Sequence, residues 1–238
     1  MRAIAINIGA NTNEPGFRGP LFPDGSFEYI PIPEAKPTDE SVPSYADLDL
    51  ETDVSEVADR PVHFDPEFPP VGGERYTYGD EHGVKAGPLS ELSAGDYLFF
   101  YATLSTVGEA PAWAPPRWGA HVVGHFRLAW DPVTGEDYRG LSADERAVFD
   151  SNAHVKRAAF DARVLLLGDP EESRLYGTVV PLSAPSGGTD ANWVVTEESS
   201  DSGKGPWWRR PMRFDADGTR TLLELADEPP EAAGRIND

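Results

Sequence analysis

The run Asp96-Tyr-Leu-Phe-Phe-Tyr-Ala-Thr-Leu104 sets an almost unbroken series of apolar and aromatic side chains behind an Ala94-Gly95 turn. Successive side chains of a strand point to opposite faces, so a run that is apolar at both parities has no face to give to water. Such a strand belongs inside a sheet covered on both sides, and the rest of the chain must supply its neighbours and its cover. Residues 2–8, alternating and β-branched, form a first partner and end in the polar loop Gly9-Ala-Asn-Thr-Asn-Glu-Pro-Gly16. Further strands are predicted at about 26–32, 121–130, 161–167 and 174–182, each bounded by Gly, Pro or Asp turns. The best helix signal is the capping box Ser142-Ala-Asp-Glu145, which predicts a helix over 143–153. Strands thus outnumber the one or two helices, and the connections are too short for regular βαβ crossovers. The expected fold class is α+β, with a mostly antiparallel or mixed sheet able to curl into a barrel.

Residues 34–72 hold many Pro, Asp and Glu and little apolar periodicity. They read as a long acidic loop within one domain spanning 1–238, because they lack a core of their own. Acidity runs through the whole chain: 41 Asp+Glu stand against 20 Lys+Arg, a net charge of −21, and the only lysines are Lys36, Lys85, Lys156 and Lys204. Disorder is not the reading, because 39% hydrophobic and 11% aromatic residues suffice for a packed core. The Debye length falls to roughly 3 Å at 1 M salt, so in brine the self-repulsion of such a surface is largely screened. The composition therefore points to a halophilic protein. Cysteine is absent, which excludes disulfides, thiolate metal sites and a Cys nucleophile and fits a cytoplasmic location. The first apolar run is broken by Asn7 and Gly9, too soon for a signal or anchor, and no stretch approaches the roughly 18 apolar residues of a spanning helix, so no membrane partner is expected.

No phosphate-loop, Gly-x-Gly-x-x-Gly, Gly-x-Ser-x-Gly or His-Glu-x-x-His pattern occurs. The histidines, at 63, 82, 121, 125 and 154, show no tight ligand grouping. His121 and His125 would share a strand face, but with Cα atoms roughly 13 Å apart, so no metal site is expected. Binding residues are sought instead in three places. The loop over 9–28 offers Asn11 and Arg18, with Asp24 and Glu28 as general-base candidates; the plainer reading pairs Arg18 with one of those acids. The run Tyr76-Thr-Tyr-Gly-Asp80 offers Tyr78 and Asp80. The predicted helix end offers Asn152, His154 and Arg157, either as cations answering the helix dipole or as an anion pocket, with His154 a third general-base candidate. Trp207-Trp-Arg-Arg210 adds ring faces and guanidinium forks suited to bases and phosphates.

Several of these segments together resemble the family called nucleotide modification associated domain 3. They are the opening strand with Gly-Ala-Asn-Thr-Asn, the run Arg18-Gly-Pro-Leu-Phe-Pro-Asp-Gly-Ser-Phe-Glu-Tyr-Ile-Pro-Ile-Pro-Glu34, Tyr-Thr-Tyr-Gly-Asp at 76–80, Gly-Asp-Tyr-Leu-Phe-Phe-Tyr at 95–101, Asn152 with His154, and Asp169-Pro-Glu-Glu-Ser-Arg-Leu175, which adds Arg174. A haloarchaeal-type member would suit the acidity. The resemblance implies an association with modified nucleotides, so the expected partner is DNA or nucleotides carrying modified bases. The Gly-Asp-aromatic strand followed by Val122-Val-Gly-His-Phe126 also looks like PUA-type barrels. The leading function is recognition or processing of modified bases. An enzyme acting on a free small molecule and a non-catalytic interaction module of a defence or modification system are the alternatives.

Overall fold

A computed structural model describes residues 1–39 and 41–234. Its strands, in chain order, are β1 (Ala3–Ile8), β2 (Pro20–Leu21), β3 (Ile32–Pro33), β4 (Val62–His63), β5 (Thr77–Asp80), β6 (Tyr97–Thr106), β7 (Trp118–Arg127), β8 (Val133–Thr134), β9 (Val164–Leu167), β10 (Arg174–Pro181) and β11 (Met212–Phe214). Its helices are α1 (Gly83–Leu89), α2 (Gly135–Gly140), α3 (Ala143–Arg146), α4 (Ala153–Lys156), α5 (Trp193–Thr196) and α6 (Ala216–Leu225). The class is α+β with mixed sheets, and no strand pairing among the described residues closes a barrel. Helices are more numerous than the one or two expected, but four of the six are six residues or shorter. Single turns of that kind leave little trace in hydrophobic periodicity. The residues fall into two compact units: Met1–Ile30 with Tyr97–His125 and the chain from Leu175 onward, and Pro31–Asp96 with Phe126–Arg174.

In the first unit the apolar run becomes β6, third in a sheet ordered β10-β7-β6-β1-β11. β1 lies parallel to it, with Ala3 opposite Tyr97 and Ile8 opposite Ala102, and β11 pairs with β1 antiparallel. Both parities of the central strands are buried, as the sequence requires: Leu98, Phe99, Phe100 and Tyr101 are each fully covered. Ala3, Ala5, Tyr97, Phe99 and Tyr101 pack with Val194, Val195, Trp207 and Leu222 into one core. α6 starts there because Asp215 Oδ1 accepts from the N–H groups of Asp217 and Gly218, both at 3.0 Å. The strand predicted at 26–32 does not form. Phe27 makes one bridge to Leu21, and Ile32–Pro33 joins only the two-residue ladder of β3 with β4. Pro31 and Pro33 have no N–H to give a longer one.

In the second unit β5, β9 and β8 form an antiparallel sheet, with Gly79 opposite Leu165 and Asp80 opposite Val164. Phe149, Leu165, Val133 and Ala162 are its core. The acidic stretch is ordered from local pieces. Ser44 and Asp47 cap a 3-10 turn, and Tyr45, fully buried, donates from its hydroxyl to Pro31 O at 2.7 Å. Val62–His63 then pairs with β3, placing Ile32 opposite His63. The helix predicted over 143–153 breaks in two. α3 passes into the 3-10 turn Ala147–Phe149, and Asn152 caps a new turn, α4, by accepting from His154 N–H at 3.0 Å.

Candidate functional site

The β3–β4 ladder brings Glu34, the residue after β3, beside His63, whose Nδ1–H donates to Glu34 Oε2 at 2.6 Å. Two residues on, Asp65 turns inward, and its two oxygens have separate tasks. Oδ1 accepts from Gly79 N–H of β5 at 2.8 Å and from Asn152 Nδ2 at 3.3 Å. Oδ2 faces His154 Nε2 at 3.3 Å and His63 Nε2 at 3.8 Å. The two imidazoles meet edge to face with centroids 5.0 Å apart. Asn152, besides capping α4, donates to Thr77 Oγ1 at 3.1 Å and so ties that turn to β5. Side-chain exposure is 6% for His63, 3% for Asp65 and 4% for His154.

A second layer holds these groups in place. His154 Nδ1–H donates to Asp161 Oδ1 at 2.7 Å. Arg157 sends Nη2 to Glu34 at 3.0 Å and Nη1 to Asp161 at 2.8 Å and Glu81 at 3.2 Å. Its guanidinium is therefore ringed by carboxylates rather than open to an incoming anion. Lys36 joins from the rim, pairing with Glu81 and reaching Asp161 at 2.8 Å. Glu67, buried behind the site, is satisfied by neutral donors: Glu74 N–H, Thr77 Oγ1 and Ser151 Oγ, at 2.6–2.8 Å.

Burial and pairing pull the ionisable groups in opposite directions. Burial alone would raise the pKa of Glu34, but hydrogen bonds from His63 and Arg157 outweigh it and hold the carboxyl at about 2. Asp161 is likewise held well below the carboxylate range, burial being overcome by Lys36 and His154. For His154 burial disfavours the imidazolium, yet the bonds and charges of Asp65 and Asp161 win and its pKa lies above the usual histidine value. Beside this cluster Tyr78 donates from its hydroxyl to Asp80 Oδ2 at 3.1 Å. Burial raises the pKa of Asp80 against the pull of Lys85, and burial lowers that of Lys85, half-buried as a residue, against the fields of Asp80 and Asp65.

Of the residues singled out from the sequence, Tyr78, Asp80, Asn152, His154 and Arg157 all lie in this unit at this cluster. The others stand elsewhere. Asn11 closes its own loop, its side chain accepting from Asn13 N–H at 2.9 Å. Asp24 shapes a turn by accepting from the N–H and hydroxyl of Ser26, and Glu28 is half-buried further along the same loop. The Arg18 guanidinium lies 4.6 Å from the centroid of Trp118, whose ring meets Trp208 edge on at 5.5 Å. Arg174 is exposed at the start of β10. Glu34, Lys36, His63, Asp65, Glu81, Lys85 and Asp161 were not foreseen. Two signals pointed to them: a His-x-Asp within the acidic stretch, and the fact that two of only four lysines, Lys36 and Lys85, converge here.

A family model described as nucleotide modification associated domain 3 matches residues 2–224 of the chain. No curated protein and no solved structure matches it.

Proposed function

We propose, because the chain belongs to the nucleotide modification associated domain 3 family, that it recognises or processes modified bases in DNA or nucleotides, with the reacting groups gathered around His154. The family description ties the chain to nucleic-acid modification at that coarse level. The step to chemistry rests on one observation: two imidazoles and an inward carboxylate converge in one buried cluster, with buried Asp80 and half-buried Lys85 beside it. Packing a core needs none of these groups, and taking them out of water costs several kcal/mol per ion unless each is paired.

Recognition has its own support in the first unit. Arg18 over Trp118, with Trp208 against it, is a half-exposed platform of the kind on which bases stack. Stacking survives molar salt, where counterion release contributes little, so the net charge of −21 is no obstacle to a base-directed site.

The test is nucleoside mass analysis of DNA, and of free modified nucleotides in parallel, after incubation with the wild-type chain and with Asp65→Asn. A base altered by the wild type and spared by the variant supports the reading. A change confined to free nucleotides narrows the reading to the nucleotide as substrate. Neither conversion nor binding of any such substrate by the folded wild type overturns it.

A further inference from the structure

We infer that His63, Asp65 and His154 form a binding site for one divalent first-row transition metal ion of the zinc or ferrous type. His63, Asp65 and His154 each offer a ligand atom, all within 4.8 Å of one another, and Asp65 Oδ2 stands 3.8 Å from His63 Nε2 and 3.3 Å from His154 Nε2. A metal with bonds of about 2.1 Å at tetrahedral angles sets its ligand atoms about 3.4 Å apart, so the spacing is that of ligands around an ion.

The outer atoms of each group are already committed in the way that orients metal ligands. Both histidines turn Nε2 inward because Nδ1–H is bound to a carboxylate, Glu34 at 2.6 Å for His63 and Asp161 at 2.7 Å for His154. Asp65 turns Oδ2 inward because Oδ1 is held by Gly79 N–H and Asn152 Nδ2. Carboxylate-backed imidazoles are the usual second layer of such sites, where they fix the tautomer and raise ligand basicity. Charge agrees: with neutral imidazoles, the carboxylates of Glu34, Asp65, Asp80, Glu81 and Asp161 face Arg157, Lys36 and Lys85, an excess of two negative charges.

A rival grouping, Glu81, His154 and Asp161, also has ligand spacing. Its carboxylates are already bound by Arg157 and Lys36, whose positive charges would oppose a cation there. Two imidazole nitrogens and one carboxylate oxygen suit zinc or iron rather than magnesium or calcium, which take oxygen shells. Three protein ligands leave positions for water or substrate, the pattern of reactive rather than structural sites. The sequence carries no such pattern, because the ligands are not all close along it: His63 ends β4, Asp65 follows two residues on, and His154 lies in α4. The inference concerns the centre to which the proposed function assigns the reaction, but its test needs no substrate.

The full chain, stripped with chelator and returned to molar-salt buffer, is titrated with Co²⁺ and then with Zn²⁺. One Co²⁺ per chain with visible absorption, displaced by Zn²⁺ and not by excess Mg²⁺, supports the site. Asp65→Asn should weaken binding by about 100-fold, and the outer-layer change Glu34→Gln by about 10- to 100-fold. Circular dichroism identifies variants that stay folded. Absence of saturable binding by the folded wild type overturns the inference whatever the variants do, as does effective competition by Mg²⁺ or unaltered affinity in folded Asp65→Asn. Metal binding without either conversion or binding of a modified nucleotide or DNA leaves this inference standing and counts against the proposed function alone.

Discussion

Gly79 is where the strand and the cluster constrain each other most directly, and Gly79→Ala tests both. A Cβ at this position would sit 2.7 Å from His154 Cδ2, 3.2 Å from His154 Cγ and 3.1 Å from Asn152 Oδ1. Ordinary contact begins at 3.4 Å, so the imidazole must retreat by about 0.7 Å. The ring has no slack for that, because Asp161 holds Nδ1 at 2.7 Å, Asp65 faces Nε2 at 3.3 Å and Asn152 fixes the backbone of its turn. A retreat of this size stretches the Asp161 bond to as much as about 3.4 Å, where it is weak, or pushes β5 off Asp65, whose Oδ1 is held by the Gly79 N–H itself. Overpacking of this kind costs about 1–3 kcal/mol, and misplacing a reacting group by about 1 Å can cost about 100-fold in rate. Urea denaturation followed by circular dichroism reads the first effect, and Co²⁺ titration with nucleoside conversion the second. Gly177→Ala on β10 is the control: nothing lies within 4 Å of its Cβ, and the substitution should be neutral or stabilising by up to about 1 kcal/mol. A Gly79→Ala chain with wild-type midpoint and wild-type cobalt affinity would refute the geometry of the cluster.

His121 gives a pH prediction away from the site. It is fully buried in the first unit, with Nε2 meeting no hydrogen-bond partner among the described residues, and burial pushes its pKa down to about 4, against the bond to Gly119 O. The unfolded chain binds this proton more readily, so stability is complete above pH 6.5 and falls as pH drops from 6.5 to about 4, by about 3 kcal/mol in total; His121→Phe should flatten that part of the acid limb, and an unchanged difference curve would show that His121 does not carry it. The net charge of −21 predicts that the urea midpoint rises steeply between about 0.1 and 1 M salt as the Debye length shrinks from about 10 to 3 Å; a midpoint indifferent to salt would remove the argument for salt adaptation. Trp118→Ala should weaken single-stranded oligonucleotide binding by about 10- to 100-fold in molar salt, the loss of one stacked base; equal affinity by fluorescence quenching would exclude the Arg18–Trp118 platform.

The elements that were legible in the sequence are those whose signal is local. β6 follows from apolar side chains at both parities, and the Ser142–Glu145 box forms as a reciprocal cap. Asn192 likewise starts a helical turn over Trp193–Thr196 by accepting from Val194 N–H at 3.0 Å. At the site, His154, Asn152, Arg157, Tyr78 and Asp80 were visible because each is a polar residue set in or beside an apolar run. Glu34, His63 and Asp65 were hidden because they lie within or at the edge of a stretch whose acidity already had an explanation. Surface carboxylates that keep a protein hydrated and buried carboxylates that hold histidines are the same residue types, and only pairing across the chain separates them.

That separation has a physical consequence for measuring the site. At low ionic strength the field of 21 excess negative charges draws any dication to the surface, so apparent metal binding is dominated by diffuse attraction. In molar salt the exposed charges are screened within a few ångströms, whereas a buried group such as Asp65, with 3% side-chain exposure, is screened much less. Raising salt should therefore strip away the non-specific sites first and leave the His63–Asp65–His154 centre as the last one occupied. The stoichiometry of tightly held cobalt should fall toward one per chain as salt rises and then stay there. A stoichiometry that continues to zero would mean that surface charge, not the imidazole cluster, held the ion.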